Sequence, residues 1–130
     1  MEFSEEIKQH IETTAHDNGL ILTELAEDHT HIEREIRENE YNILGLVYGG
    51  VLFNAADTAA GITNLCAGGG GPTLSGTIDY LRPTNGVKKI VLESRIVKQG
   101  RSISFIETDI FNEVGTLVAK ARFTYFQYNR

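Results

Sequence analysis

Positive charge is in short supply in this 130-residue chain. Twelve Lys and Arg stand against eighteen Asp and Glu, a net charge of −6 with histidine neutral. That balance argues against binding nucleic acid or an anionic membrane through bulk charge, although a local basic patch can still hold an anionic ligand. Cysteine is scarcer. Cys66 is the only one, so an intrachain disulfide is excluded and a cysteine-based zinc site is disfavoured. No run approaches the roughly 18 uninterrupted apolar residues of a membrane span. The opening MEFSEEIKQH is acidic and lacks an apolar core, so no secretory signal is expected. What is there is a globular composition, 41% hydrophobic, sufficient for a core without disulfide or metal staples. The expectation is one soluble, cytoplasmic domain over residues 1–130.

The order of elements is readable. Ser4 followed by Glu5 and Glu6 forms a helix start, with a capping hydroxyl and acidic residues at the positive end of the dipole. Ile7 and Ile11, four apart, give this helix a docking side, and Asn18-Gly19 ends it. Strands are expected over Leu20 to Glu27 and Thr30 to Arg37, the second with Ile32, Arg34 and Ile36 on one face. Residues 38–50 form a loop. Val51 to Ala67 is a helix, apolar around most of its circumference and without Lys, Arg or Glu, so it is buried. Its few polar residues, Asn54, Asp57 or Thr58, and Asn64, line up at spacings of three, four and seven. After glycines 68–71 come strands led by the alternation of Leu74, Gly76, Ile78 and Tyr80, then Lys89 to Val97, Arg101 to Asn112 and Leu117 to Phe126. The last has Leu117, Ala119, Ala121, Phe123 and Tyr125 inward and Val118, Lys120, Arg122 and Thr124 outward. One buried helix and five or six mostly consecutive antiparallel strands make an α+β layer architecture, with the sheet wrapped around the helix. The edge strand of such a sheet is a natural place to pair with a second copy.

Chemistry concentrates in NILGLVYGGVLFNAAD, residues 42–57. Gly49 and Gly50 let a ligand approach the backbone, and the first N–H groups of the helix have no partner inside it. Together with the dipole they suit a developing negative charge. Asp57, seven residues past Gly50, lies on the same side of the helix about 10 Å further along. One chain alone therefore does not bring the carboxylate to the oxyanion site. A symmetric dimer with antiparallel helices would set one copy's Asp57 near the other's Gly49-Gly50. A carboxylate inside a buried helix is costly unless solvated or bonded, which makes Asp57 a candidate general base. The plainer reading is a water-facing stripe of Asn54, Asp57 and Asn64.

The run NILGLVYGG at 42–50, with Asp57 seven residues on, resembles the signature of hotdog-fold acyl-CoA thioesterases of the PaaI type. Those sequences carry Asn-x-x-Gly-x-x-His-Gly-Gly and then a helical Asp. The likeness continues through TIDYLRP at 77–83, VKQGR at 97–101 and GTLVAKARFTY at 115–125, and so covers about residues 39–126. It implies a hotdog fold, a sheet wrapped around one long central helix with an N-terminal helix added. It implies hydrolysis of an acyl-CoA to free acid and CoA, with no cofactor and no metal. In that scheme Asp57 is nucleophile or general base, and the Gly49 N–H, helped by Gly50, polarises the thioester carbonyl. Asn42 orients the carbonyl or the water, and Thr73 is the hydroxyl beside the carboxylate. A homodimer with interfacial sites, and further pairing to a homotetramer, are also implied. Tyr48 departs from the pattern, standing where the family has His. It can donate through its hydroxyl but stays neutral at pH 7. Backbone donors do not depend on that side chain, which favours an active enzyme. The alternatives are an acyl-CoA-binding hotdog protein without turnover, for which Tyr48 is the sequence feature, and a hydratase, which lacks the His it needs in this segment.

Other residues carry weaker signals. Arg82, Lys88, Lys89, Lys98 and Arg101 stand at strand ends, and Arg82, Lys98 and Arg101 are candidates for the phosphates of CoA. Phe53 is expected to shape the acyl pocket together with Leu65 and the glycine loop. His29 and His31 have a chelating i, i+2 spacing but no evident third ligand. Glycines 68–71 lack the Lys and Ser or Thr of a phosphate loop and read as a flexible helix exit. Cys66 reads as a small buried hydrophobe.

Overall fold

The computed structural model describes residues 4–128. Helix α1 spans Glu5–Asp17. The Ser4 hydroxyl accepts the Ile7 N–H at 3.2 Å, and the Asn18 side chain closes the other end by donating to the Thr14 carbonyl at 2.8 Å. Gly19 follows at φ +67°, where a side chain is strained. Ile11 and Ala15 bury the inner side of the helix, with Ile7 packed beside them. Strands β1 (Leu20–Leu25) and β2 (His29–Glu35) pair as a hairpin. A short 3-10 turn at Glu38–Glu40 leads into the 42–48 loop, and α2 runs over Gly49–Cys66. The remaining strands are β3 (Thr73–Tyr80), β4 (Lys89–Gln99), β5 (Ile103–Asn112) and β6 (Leu117–Phe126).

All six strands form one antiparallel sheet in the order β1-β2-β4-β5-β6-β3. This is the sheet-around-a-helix architecture expected of a hotdog fold. Ala55, Ala56, Ala59 and Ala60 of α2 are fully enclosed, and so are Ala119 and Ala121 of β6. Small residues on both elements let the helix lie close in the curve of the sheet. The rest of the core is branched or aromatic: Ile32, Ile90, Leu92, Ile106, Ile110 and Phe123. The outer side of the sheet is charged over the middle of β4, β5 and β6 and apolar toward one end, where Val97, Ile103 and Phe105 are exposed. Arg95 bridges Glu107 and Asp109 across β4 and β5, and Lys120 joins Asp109 from β6. Both β1 and β3 are edges, and β3 leaves Leu74 and Tyr80 exposed.

Several local readings need correction. Strand β2 ends at Glu35 rather than Arg37, although Ile36 still packs on the core side with Ile32 and Arg34, a face that Thr30 joins. Helix α2 starts at Gly49 rather than Val51, because neither glycine of the pair adopts a positive φ and Tyr48 serves as the cap. Val118 is buried, not outward, because the β5–β6 register shifts beside it, between Ile110 and Phe111. Asn64 does not face water. It is enclosed, and its Oδ1 accepts from Gln127 Nε2 at 2.7 Å. Nor are the glycines 68–71 a loose exit. Their chain is bonded to residues 126–128: the Gly70 N–H to the Gln127 amide oxygen at 3.0 Å, and the Tyr128 N–H to the Gly70 carbonyl at 3.0 Å. A Cβ at Gly71 would collide with the Phe126 carbonyl, and one at Gly69 with the Asn64 and Gln127 amides. Close approach, not flexibility, calls for glycine there.

Candidate active site

The N-terminal end of α2 is built by the loop before it. Asn42 Oδ1 accepts two backbone N–H groups, from Leu44 at 2.9 Å and Leu46 at 3.0 Å. Two donors facing one atom identify it as the amide oxygen. Asn42 thus shapes the loop with its oxygen and keeps its NH2 as a donor. The Tyr48 N–H is held by the Glu40 carbonyl at 3.0 Å, and the Val47 N–H by the buried Thr84 hydroxyl at 3.0 Å. The chain then turns into the helix. Gly49 and Gly50 donate their N–H groups to no described residue, as the first turn of a helix allows. Tyr80 from β3 donates its hydroxyl to the Gly49 carbonyl at 2.8 Å, and a Cβ at Gly49 would meet that phenol. A side chain at this position would displace the Tyr80 phenol from the Gly49 carbonyl. Tyr48 itself is half exposed and makes no side-chain cap. Asn42, Gly49, Tyr80 and Arg82 line a cavity of about 480 Å³.

Asp57 lies eight residues further along α2, about 12 Å at the helical rise. It belongs to a second cavity of about 380 Å³, with Thr73, Tyr125 and Asn64 around it and His10, Thr14 and Asn18 opposite. The Thr73 hydroxyl donates to Asp57 Oδ1 at 2.9 Å. The Tyr125 hydroxyl donates to the same oxygen at 2.6 Å and stands 2.7 Å from the Asp57 carbonyl. Asp57 Oδ2 accepts no hydrogen bond from the described residues. Burial, reinforced by the bond to Asp57, pushes the Tyr125 phenol far above the usual tyrosine range, so it remains a donor.

The structure therefore brings Thr73 to Asp57 and Asn42 to Gly49, and keeps the two pairs in separate cavities within one chain. Arg82 joins the Gly49 cavity, with Nη1 donating to the Leu117 carbonyl at 2.7 Å. Lys98 and Arg101 reach neither cavity. Lys98 borders a hollow with Phe105, Glu107 and Arg122 on the outer side of the sheet, and Arg101 is exposed in the turn between β4 and β5. The five strand-end cations form no single patch in the chain, because Lys89 and Lys98 stand near opposite ends of β4. Phe53 lines neither cavity. Its ring packs edge-on against Phe123 at 5.5 Å, over Gly76. Burial pushes the Cys66 thiol up to about 11, which fits an inert core residue. His29 and His31 bond to nearby carboxylates, and no metal-binding cluster occurs among the described residues. No helix among them is long and apolar enough to cross a membrane.

Two tyrosines escaped the sequence reading. Tyr80 and Tyr125 were legible only as strand residues. An inward tyrosine on a strand does carry one signal, since a buried hydroxyl needs a partner, but the sequence does not say which.

The family model described as thioesterase superfamily matches residues 44–119. The chain is 30% identical over 95 residues to the human protein named acyl-coenzyme A thioesterase 13, covering 71% of this chain and 68% of that one. A hypothetical thioesterase protein from Streptococcus pneumoniae, solved with coenzyme A, superposes with a TM-score of 0.86 at 25% identity, over 94% of this chain and 97% of that one. The hypothetical thioesterase protein of that organism has also been solved with a threonine, and separately an aspartate, replaced by alanine. Those two positions are sixteen apart, as are Thr73 and Asp57. The PaaI protein of the E. coli phenylacetic acid degradation operon superposes with a TM-score of 0.86 at 21% identity, over 94% and 93% of the two chains, a likeness of fold.

Proposed function

The chain belongs to the thioesterase superfamily, and from that premise we propose that it hydrolyses acyl-CoA thioesters to a free acid and CoA. One observation carries the reading: a helix start with two N–H groups unpartnered among the described residues and an amide donor at one end, and a carboxylate held by hydroxyls two turns away. The Gly49 and Gly50 N–H groups receive the oxygen of the thioester carbonyl as it becomes an oxyanion. Asn42 Nδ2 orients that carbonyl or the attacking water. Asp57 acts on the carbonyl carbon in one of two ways. As base it takes a proton from water, hydroxide adds to the carbon, the C–S bond breaks and the CoA sulfur takes the proton. As nucleophile it adds to the carbon and the C–S bond breaks, expelling the CoA thiolate and leaving a mixed anhydride; water then opens the anhydride, freeing the acid and Asp57, and the proton it yields goes to the CoA sulfur. The coenzyme A bound to the pneumococcal relative supports CoA as the leaving group. Arg82, beside Gly49, is the cation best placed for its phosphates.

The working unit is a homodimer. The separation of Asp57 from Gly49 along α2 supports this, and so does the free edge of β3 with its exposed Leu74 and Tyr80. Antiparallel pairing of two copies would join one copy's Gly49 cavity to the other's Asp57. The test is release of free CoA thiol from short, long and aromatic acyl-CoAs, by wild type and by Asp57→Ala. Turnover by wild type and a loss of at least about 10³-fold in the variant is the expected result. CoA binding without turnover in either protein would turn the reading to a binding protein, and Tyr48→His would then be the substitution to make.

A further inference from the structure

We propose that Tyr125 is the positioning residue of the Asp57 carboxylate, fixing which of its two oxygens does the chemistry. The inference rests on the thioesterase reading for its kinetic meaning, but its geometry stands apart from it. Tyr125 lies on β6 and pairs in register with Thr73 of β3. The two residues thus project side by side from neighbouring strands, and both donate to Asp57 Oδ1. A carboxylate oxygen has two lone-pair positions, and here two hydroxyls fill them. Oδ2 is left as the oxygen able to take a proton or attack a carbon.

Tyr125 does something Thr73 does not. Its hydroxyl also stands 2.7 Å from the Asp57 carbonyl, so a single phenol contacts the backbone and the side chain of the same residue. That ties the carboxylate to its own helix turn and restricts rotation about χ1. The Asp57 carbonyl is the acceptor that an α-helix assigns to the N–H of residue 61. Position 61 is glycine, and the Tyr125 oxygen lies 3.5 Å from where its Cβ would be. The phenol therefore sits in ordinary contact with the helix backbone, in space that a longer side chain at 61 would claim. The ring is buried and leans against Phe123, with centroids 6.4 Å apart, so packing holds the hydroxyl in place before substrate arrives. Burial also keeps the phenol protonated across the working pH range.

The decisive variant is Tyr125→Phe, which keeps the ring and removes the hydroxyl. Thiol release should show kcat lowered about 10- to 100-fold with KM within about twofold of wild type, because positioning of a reacting group is lost while substrate contacts remain. A purely structural phenol predicts a lowered melting temperature with kcat unchanged, and kcat within about twofold of wild type in folded Tyr125→Phe overturns the proposal. A second measurement needs no activity. In wild type the Tyr125 hydroxyl proton should give a downfield, slowly exchanging NMR resonance that is absent in Tyr125→Phe and moves upfield in Asp57→Asn. Its indifference to Asp57→Asn also overturns the proposal. If wild type hydrolyses no acyl-CoA, the thioesterase reading fails by itself, and this resonance alone decides whether Tyr125 holds Asp57.

Discussion

Arg34 and Glu40 meet in a two-point contact beneath the loop that carries Asn42 and Tyr48, Nη1 to Oε1 at 2.8 Å and Nη2 to Oε2 at 2.6 Å. Arg34 is buried and Glu40 mostly so. Glu40 Oε1 also accepts the Arg37 N–H at 2.8 Å, and the Glu40 carbonyl holds the Tyr48 N–H. The pair links β2 to the start of α2, and with it the fold to the proposed oxyanion site. Arg34 Nε has no partner among the described residues, and Nη1 also donates to the Glu35 carbonyl at 3.2 Å, so Glu40 is the carboxylate that balances this buried charge.

Glu40→Ala should lower the unfolding free energy by about 3 kcal/mol, since it strands a buried cation. Chemical denaturation measures this. Arg34 holds the Glu40 carboxyl below its ordinary value of 4.5. The folded state therefore binds fewer protons there than the unfolded chain. The stabilisation is complete above pH 4.5 and is lost as pH falls through the depressed folded value. Glu40→Ala should show a flatter pH dependence of stability in that acid range. Equal slopes for the two proteins would contradict the assignment.

Asn42 separates into two functions. Asn42→Asp keeps an oxygen for the Leu44 and Leu46 N–H groups but removes the NH2 donor. It should melt within a few degrees of wild type and lose on the order of 100-fold in kcat. Asn42→Ala loses the loop bonds as well and should melt lower. If both variants retain turnover, Asn42 is a loop residue only.

The divided site offers a complementation test. Asn42→Asp retains Asp57, and Asp57→Ala retains Asn42. Equal amounts unfolded together and refolded should regain about a quarter of wild-type activity, because half the dimers are mixed and each holds one intact site of two. No recovery from a properly refolded mixture would mean that each site is built from a single chain.

The glycine run gives a matched pair. Gly71→Ala drives a methyl group onto the Phe126 carbonyl and should cost about 1–3 kcal/mol. Gly70→Ala meets nothing within 4 Å and has no positive φ, so it should change stability by less than about 0.5 kcal/mol or raise it slightly. Similar melting temperatures for the two variants would show that the run has slack after all.

Much of this arrangement was legible beforehand, for local reasons. Ser4 and Asn18 cap α1 as their side chains dictate, and β6 keeps the expected bounds because its alternation is nearly unbroken. The Asp57–Gly50 spacing showed that the two halves of the site are distant in one chain. What stayed hidden depended on which strands become neighbours. Nothing local says that β3 pairs with β6, so nothing announced that Tyr125 would stand beside Thr73. Lys98 and Arg101 look grouped with Arg82 in sequence until the length of β4 separates them. The packing of Phe53 against Phe123 was hidden for the same reason, since it too depends on which strand lies beside the helix.

The place of β6 between β5 and β3 also sets an order of events on the ribosome. Asp57 and Thr73 are made early, yet the tyrosine that grips the carboxylate is sixty-eight residues downstream, on the strand synthesised after all the others. Until that strand emerges, β3 has no neighbour in the sheet, and nothing seats Thr73 or Tyr125 against Asp57. A nascent chain cut short before β6 would present an unpaired strand and an ungripped acid, and only the full sheet supplies both partners in a single step.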